Sequence, residues 1–241
     1  MITRLLCAGL CLLVPVFGHA ASTSTPPKGA IEGPGWNRQV FIHPAHSTSY
    51  QLSQFDRYER VFSVAISPNA TMALVYHQDN HNHPTELTLY QLPSRHKLGS
   101  IYPGWYVKAV YWYGPRIITQ TDITNGSFVM IYDHQMHRLA KITETALFMD
   151  ADAGRCIGLP IPLWTDGSTF RVYSLMSGKQ LQKLSVQRKA YFQKLEKTGP
   201  DTYKATLADM HTDAMYEETF ILKQTHSITP AKPHSAGQNW R

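Results

Sequence analysis

The chain has 241 residues and only three cysteines. Cys7 and Cys11 fall within the first twenty residues, so loss of that stretch leaves Cys156 alone. An intramolecular disulfide is then excluded, and Cys156 reads as a small buried hydrophobe within Arg155–Leu159. Charge runs are missing as well. Lys and Arg number 23 against 17 Asp and Glu, a net charge of +6 spread along the chain without a basic stripe. No nucleic-acid partner is expected on that distribution. Beyond residue 20 no segment approaches the length of apolar sequence needed for a spanning helix, so no integral membrane segment is expected after leader removal. Gly-x-Ser-x-Gly, His-Glu-x-x-His and phosphate-loop patterns do not occur. Ser94-Arg95-His96-Lys97 matches Ser-x-x-Lys, but it lies in an expected turn and lacks the companion motifs. The motif search therefore gives no catalytic residue, no cofactor and the expectation of a non-enzyme. A triad assembled in space would leave no local trace.

What is present begins with a leader. Arg4 supplies a positive start, Leu5 to Phe17 is mostly apolar, and Gly18-His19-Ala20 offers small residues at −3 and −1. Residues 1–20 read as a signal peptide cleaved before Ala21, giving a periplasmic or secreted protein. Residues 21–37 are rich in Ser, Thr, Pro and Gly and read as a flexible linker. Residues 224–241 read as a flexible C-terminal tail. The intervening 38–223 are enough for one domain with a substantial core.

That domain consists of short runs rich in Val, Ile, Tyr, Phe and Thr, bounded by turn signals. Val40–Ile42, Leu87–Tyr90, Phe128–Tyr132, Phe170–Tyr173 and Thr219–Leu222 recur at a spacing of roughly 40–50 residues, the period of a propeller blade. Four strands are legible between 61 and 101, four more between 106 and 142, and four between 146 and 184. A last unit from 190 to 222 stops at three. Residues 39–55 read as a third and fourth strand without a first and second. The expected fold is all-β, a small β-propeller-like array of four or five blades. Strand exchange between 39–55 and 190–222 would close it end to end.

Two turns carry a family resemblance. Ser67-Pro68-Asn69-Ala70 after Val61–Ile66 resembles the "SPDG"-type hairpin turn of WD40 and YVTN-like β-propeller repeats. Val172-Tyr173-Ser174-Leu175-Met176-Ser177-Gly178-Lys179 is similar to their "VYDLxTGK" turn. The Trp-Asp dipeptide is missing and the second and fourth units diverge. The resemblance implies a fold and no catalytic residues.

Three groups of side chains invite a functional reading. His77, His81 and His83, with Asp79, could supply nitrogen and oxygen ligands to zinc or copper, although a polar hairpin tip needs no metal. Asp150-Ala151-Asp152-Ala153-Gly154 opens like a calcium loop, but Ile161 stands where the bidentate Glu would be required, leaving an acidic turn. Tyr102 to Tyr106 and Tyr111 to Tyr113 form an aromatic-rich stretch. Tyr106 and Tyr111 are expected to pack in a strand, with Trp105 and Trp112 exposed beside turns. In propellers of this resemblance, the loops between second and third strands share a face with the loops between units. That face would carry Tyr102, Trp105, Trp164 and Asp166 as partner-binding residues. The function expected is a protein-interaction module of the cell envelope, an accessory factor of a type IV-class secretion apparatus. A glycan or peptidoglycan binder using the tryptophans is the alternative, and a metal-dependent enzyme using His77–His83 is a third class.

Overall fold

The computed structural model describes residues 28–32, 39–44, 48–54, 60–78, 85–104, 106–124, 126–159, 169–186, 190–222 and 238–239. Every regular element among them is a strand. The first sheet holds β1 (Lys28–Glu32), β2 (Gln39–His43) and β3 (Tyr50–Gln54). The second holds β4 (Arg60–Ile66), β5 (Met72–Gln78), β6 (Thr85–Gln91) and β7 (Lys97–Ile101). The third is built from β8 (Ala109–Tyr113), β9 (Arg116–Ile123), β10 (Gly126–Tyr132) and β11 (Arg138–Glu144). The fourth follows with β12 (Ala146–Asp150), β13 (Arg155–Leu159), β14 (Thr169–Ser174) and β15 (Gln180–Ser185). The fifth has β16 (Ala190–Lys197), β17 (Thr202–Asp209) and β18 (Met215–Ile221). All pairings are antiparallel meanders, and β19 (Gln238–Asn239) adds to the free side of β8.

Middle strands show why these segments choose sheets. In β5, Leu74 and Tyr76 point to one side and Ala73 and Val75 to the other, and all four are fully buried. A strand alternates its side chains between faces, so a residue run apolar at every position suits a sheet covered on both. β10 does the same with Phe128 and Tyr132 against Val129 and Ile131. The core accordingly divides into four apolar clusters, one between each successive pair of sheets. Val40 and Ile42 meet Val61 and Val75. Leu74 and Leu87 meet Trp112 and Phe128. Ile118 and Ile131 meet Leu147 and Cys156. Ile157 and Phe170 meet Tyr203 and Phe220. At roughly 1.5–3 kcal/mol for each large apolar side chain removed from water, these seams hold the array together.

The all-β, β-propeller-like array of sheets expected from the repeat is what forms. Three details differ. β1 lies inside the segment read as linker and β19 inside that read as tail. Gly29 in β1 serves a close approach: a Cβ there would stand 2.6 Å from Val64 Cγ1 of β4. The expected pairing of 39–55 with 190–222 is not formed among the described residues. There β2 is flanked by β1 and β3, and β17 by β16 and β18.

The two turns that carried the resemblance are hairpin turns. Asn69 Oδ1 accepts from Ser67 Oγ at 2.8 Å and Thr71 Oγ1 at 2.8 Å, and Met72 N–H donates to Ser67 Oγ at 2.9 Å. Ala70 takes the left-handed conformation, φ 59°, where the motif has glycine. Gly178 does so at φ 71° between β14 and β15. Arg95 at 63° and Met136 at 64° hold the same place in the third-to-fourth-strand turns of the second and third sheets.

Candidate functional site

Strand alternation sorts the connections into two ends. Turns between first and second strands, and between third and fourth, lie at one end. Second-to-third connections and those between sheets lie at the other, which is the end favoured by the sequence.

At that loop end the connection 102–108, described except for Trp105, leads from β7 into β8. Tyr102 is 59% exposed and Tyr106 53%. The connection is anchored by Val107, which is fully buried and whose N–H donates to the Tyr76 hydroxyl at 3.4 Å. The Tyr106 ring stands edge-on to Tyr76 with centroids 6.0 Å apart. Tyr102 lies exposed at this end, while the expected burial of Tyr106 and exposure of Trp112 are reversed. Trp112 alternates inward from β8 and is 6% exposed among Tyr132 and Phe128, whereas Tyr106 precedes the strand and stays outside. Trp105, Trp164 and Asp166 lie outside the described residues.

The histidine group divides. His77 belongs to β5, not to a loop tip; it is 5% exposed and its Nε2 lies 2.9 Å from Thr88 Oγ1 on β6. β5 runs on to Gln78, and His77 finds a hydrogen-bond partner across the ladder. His81 and His83 lie outside the described residues. Among the described residues no group of three His, Cys, Asp or Glu side chains is placed to hold a metal.

The opposite end holds a concave site that sequence reasoning missed. First strands of three successive sheets converge there around a depression of about 250 Å³. Tyr111 of β8, Phe148, Met149 and Asp150 of β12, the turn residues Ala151 and Asp152, and Lys197 of β16 line it. The acidic turn 151–154 is an ordinary hairpin turn, closed by Gly154 N–H to Ala151 C=O at 3.0 Å with Gly154 at φ 66°.

Asp150 anchors the floor, with a side chain only 4% exposed. Its Oδ1 accepts from Lys197 Nζ at 2.8 Å and from Ala153 N–H at 3.3 Å. Its Oδ2 accepts from the Tyr203 hydroxyl and faces Arg155 Nε at 3.5 Å. Arg155 also donates to the Tyr203 oxygen at 3.0 Å, to Pro200 C=O at 2.8 Å and to Asp201 Oδ1 at 2.8 Å. The network joins the fourth and fifth sheets. Burial and the bond to Asp150 hold the Tyr203 phenol above its usual range, so it remains a neutral donor. Burial works against the Arg155 cation, but its bonds to Tyr203 and Asp201 outweigh that and raise its pKa. Buried charges are tolerable when they are paired and hydrogen-bonded, as Asp150 and Arg155 are here. Asp152, exposed at the rim, and Lys197, one-third exposed, give the depression one charge of each sign facing outward.

Cys156 is fully buried on β13, and burial together with the nearby Glu144 charge pushes its thiol up to about 12. Glu144 ends β11 and binds the fourth sheet, accepting from Arg171 Nη1 at 3.1 Å and from the Tyr173 hydroxyl.

No protein-family model and no curated protein matches the chain. Solved structures do. The β-propeller domain of the Trilobed protease from Pyrococcus furiosus matches with TM-score 0.47 and 11% identity, over 83% of this chain and 66% of that one. A prolyl endopeptidase matches with TM-score 0.45 and 13% identity, over 82% of this chain and 34% of that one. The β-propeller domain of Cps50 (Swd1) from Myceliophteria thermophila matches with TM-score 0.42 and 8% identity, over 78% of this chain and 65% of that one. The chain therefore spans about a third to two-thirds of these structures. The resemblance to WD40-like repeats holds at the level of architecture, in the succession of small antiparallel sheets. The expectation of a non-enzyme is corrected: two of these matches are to proteases, so missing sequence motifs do not exclude an enzyme on this fold. Identities this low convey fold alone, and no activity passes to this chain.

Proposed function

We propose that the chain is an exported interaction module of the cell envelope whose loop end binds a protein partner. The observation that carries this reading is the Tyr102–Tyr106 pair. Two tyrosines more than half exposed sit on a connection fixed at its base by Val107 and Tyr76. A rigid scaffold presenting amphipathic rings matches the composition of interface cores, where Tyr and Trp are enriched. Trp105, in the same connection, and Trp164 and Asp166, between β13 and β14, complete the proposed contact set. The apolar leader over residues 1–20, with Gly18 and Ala20 before the cleavage point, supports periplasmic or secreted placement. Within that setting we assign the protein as an accessory of an envelope secretion apparatus of the type IV class.

The test uses the mature chain as bait in envelope extract beside Tyr102→Ala and Tyr106→Ala. A central interface aromatic costs about 2 kcal/mol or more when truncated, roughly thirtyfold in affinity. Loss of one defined protein from the variants, at unchanged melting temperature, is the expected result. Equal capture by wild type and both variants overturns the reading. Retention on purified peptidoglycan that the variants abolish would instead select the glycan reading.

A further inference from the structure

We propose that the outer edge of the fifth sheet takes up an extended, basic segment of a partner protein as a fourth strand paired with β18. This surface is separate from the tyrosines at the loop end and does not depend on them.

The second and fourth sheets each have four strands, the third has four plus the short β19 beside β8, and the fifth has three among the described residues. β18 stands third in its sheet but is exposed like a fourth strand. The third strands β6 and β10 are almost wholly buried, whereas the outermost β11 and β15 are mostly exposed. β18 follows the outermost pattern, with Met215 59% and Ile221 71% exposed.

Its backbone register identifies which groups face the open side. Asp209 N–H donates to Ala214 C=O at 2.9 Å, and Leu222 N–H to Asp201 C=O at 2.8 Å. Antiparallel ladders alternate bonded and non-bonded pairs. With Leu207 opposite Tyr216, Ala205 opposite Glu218 and Tyr203 opposite Phe220, those even-numbered residues bond to β17. The N–H and C=O groups of Met215, Glu217, Thr219 and Ile221 therefore point away from β17. A row of such groups is a template for strand addition.

Charge selects the occupant. β18 carries Glu217 and Glu218 and no basic residue. The fourth strands elsewhere in the chain each carry Lys or Arg: Lys97 in β7, Arg138 and Lys141 in β11, Lys183 in β15. In the second sheet the pairing is direct, Lys97 Nζ lying 3.6 Å from Glu86 Oε1 across the third and fourth strands. A second copy of β18 would set glutamates against glutamates, and like charges across a pair are unfavourable. A strand that mixes apolar and basic residues, as β11 does, meets both requirements.

The probe is a labelled peptide with the sequence of β11, Arg138–Glu144, added to the mature protein and followed by fluorescence anisotropy. Three controls accompany it: the peptide with both basic residues changed to Glu, the peptide N-methylated at alternate residues, and the protein variant Thr219→Pro. Proline on the solvent side of an edge strand removes a donor without touching the inner ladder. Saturable binding, weakened at least about tenfold by each control and by raised salt, is expected. If Thr219→Pro fails to fold, the N-methylated peptide decides the matter on wild-type protein. No saturable binding up to about millimolar peptide, or equal binding of the N-methylated peptide, overturns the proposal. So does a concentration-dependent dimer that Thr219→Pro dissociates without any peptide binding.

Discussion

Gly178→Ala isolates the strain that one turn of the repeat is built to avoid. Gly178 sits at φ 71°, a region that costs an L-residue about 1–2 kcal/mol. An added Cβ would also stand 2.3 Å from Ala140 Cβ on β11 of the preceding sheet. Overpacking of that kind costs about 1–3 kcal/mol. Alanine restricts the unfolded chain and returns roughly 0.4–1 kcal/mol. The net loss is about 2–4 kcal/mol. For a domain of this size each kcal/mol lowers the melting temperature by about 2–4 °C, so a fall of roughly 5–15 °C is expected. Thermal and urea melts followed by far-UV circular dichroism measure it. Repeating the substitution in an Ala140→Gly background separates the two causes. Steric cost disappears there and only the backbone cost remains, so Gly178→Ala should lose about 1–3 kcal/mol less than in wild type. A melting temperature unchanged by Gly178→Ala, or an identical loss in both backgrounds, would refute the reasoning.

The converse holds at Ala70, which occupies a left-handed position at φ 59°; Ala70→Gly should stabilise by about 0.5–1 kcal/mol in urea titration, since relief of αL strain exceeds the added chain freedom. Tyr203→Phe removes a donor from buried Asp150 and should destabilise by about 1–3 kcal/mol, with the loss shrinking when Asp150 is also changed to Asn. Cys156, fully buried with its thiol pushed up to about 12, should resist an aromatic disulfide reagent at neutral pH until denaturant is added; rapid stoichiometric labelling of the native mature chain would contradict that burial. Asp209 is held below its ordinary 3.8 by the N–H groups of His211 and Thr212. A depressed folded value gives stability that is present above the unfolded pKa and lost as the pH falls through the folded one. Asp209→Asn should therefore lower stability at neutral and alkaline pH and flatten its fall on the acid side.

How much of this was legible depended on whether the cause was local. Alternation in β5 and β10 and the residues of the two resemblance turns are local patterns, and they located sheets and hairpins. Arg95 and Met136 are not glycines, so nothing in their identity announces a left-handed backbone. Met136 shows what sustains it: at 3% exposure it packs with Tyr132 and Leu89 in the seam between the second and third sheets. Gly29 misled for the opposite reason, since its lack of a side chain serves contact with Val64 and not linker freedom. The depression at the converging first strands was invisible because its members are distant. Asp150, Arg155, Lys197 and Tyr203 meet only after two sheets pack, and Asp150 reads locally as part of a turn. The aromatic stretch failed by strand boundary: β8 runs Ala109–Tyr113 and is packed on both faces, Trp112 to one side and Tyr113 to the other, which is why Trp112 is buried.

The two end sheets of the array explain why its edges, more than its faces, are the places to expect contacts. On its inner side the fifth sheet presents Tyr203, Leu207 and Phe220 to the fourth. On its outer side Lys194 pairs with Glu196, and Lys204 with Glu217. A side destined for an apolar seam like the other four would repeat the inner pattern. Charged pairs there keep the last sheet solvated, as a capping repeat does in a linear array. A polar face, however, does not cover the backbone edge of β18, which no strand pairs among the described residues, because charges on alternate side chains do not satisfy N–H and C=O groups lying in the plane of the sheet. Solvation of the face and exposure of the edge thus follow from the same seven residues, Met215–Ile221. Replacing Glu217 with an apolar residue should consequently promote self-association through the face, while Thr219→Pro acts on the edge alone.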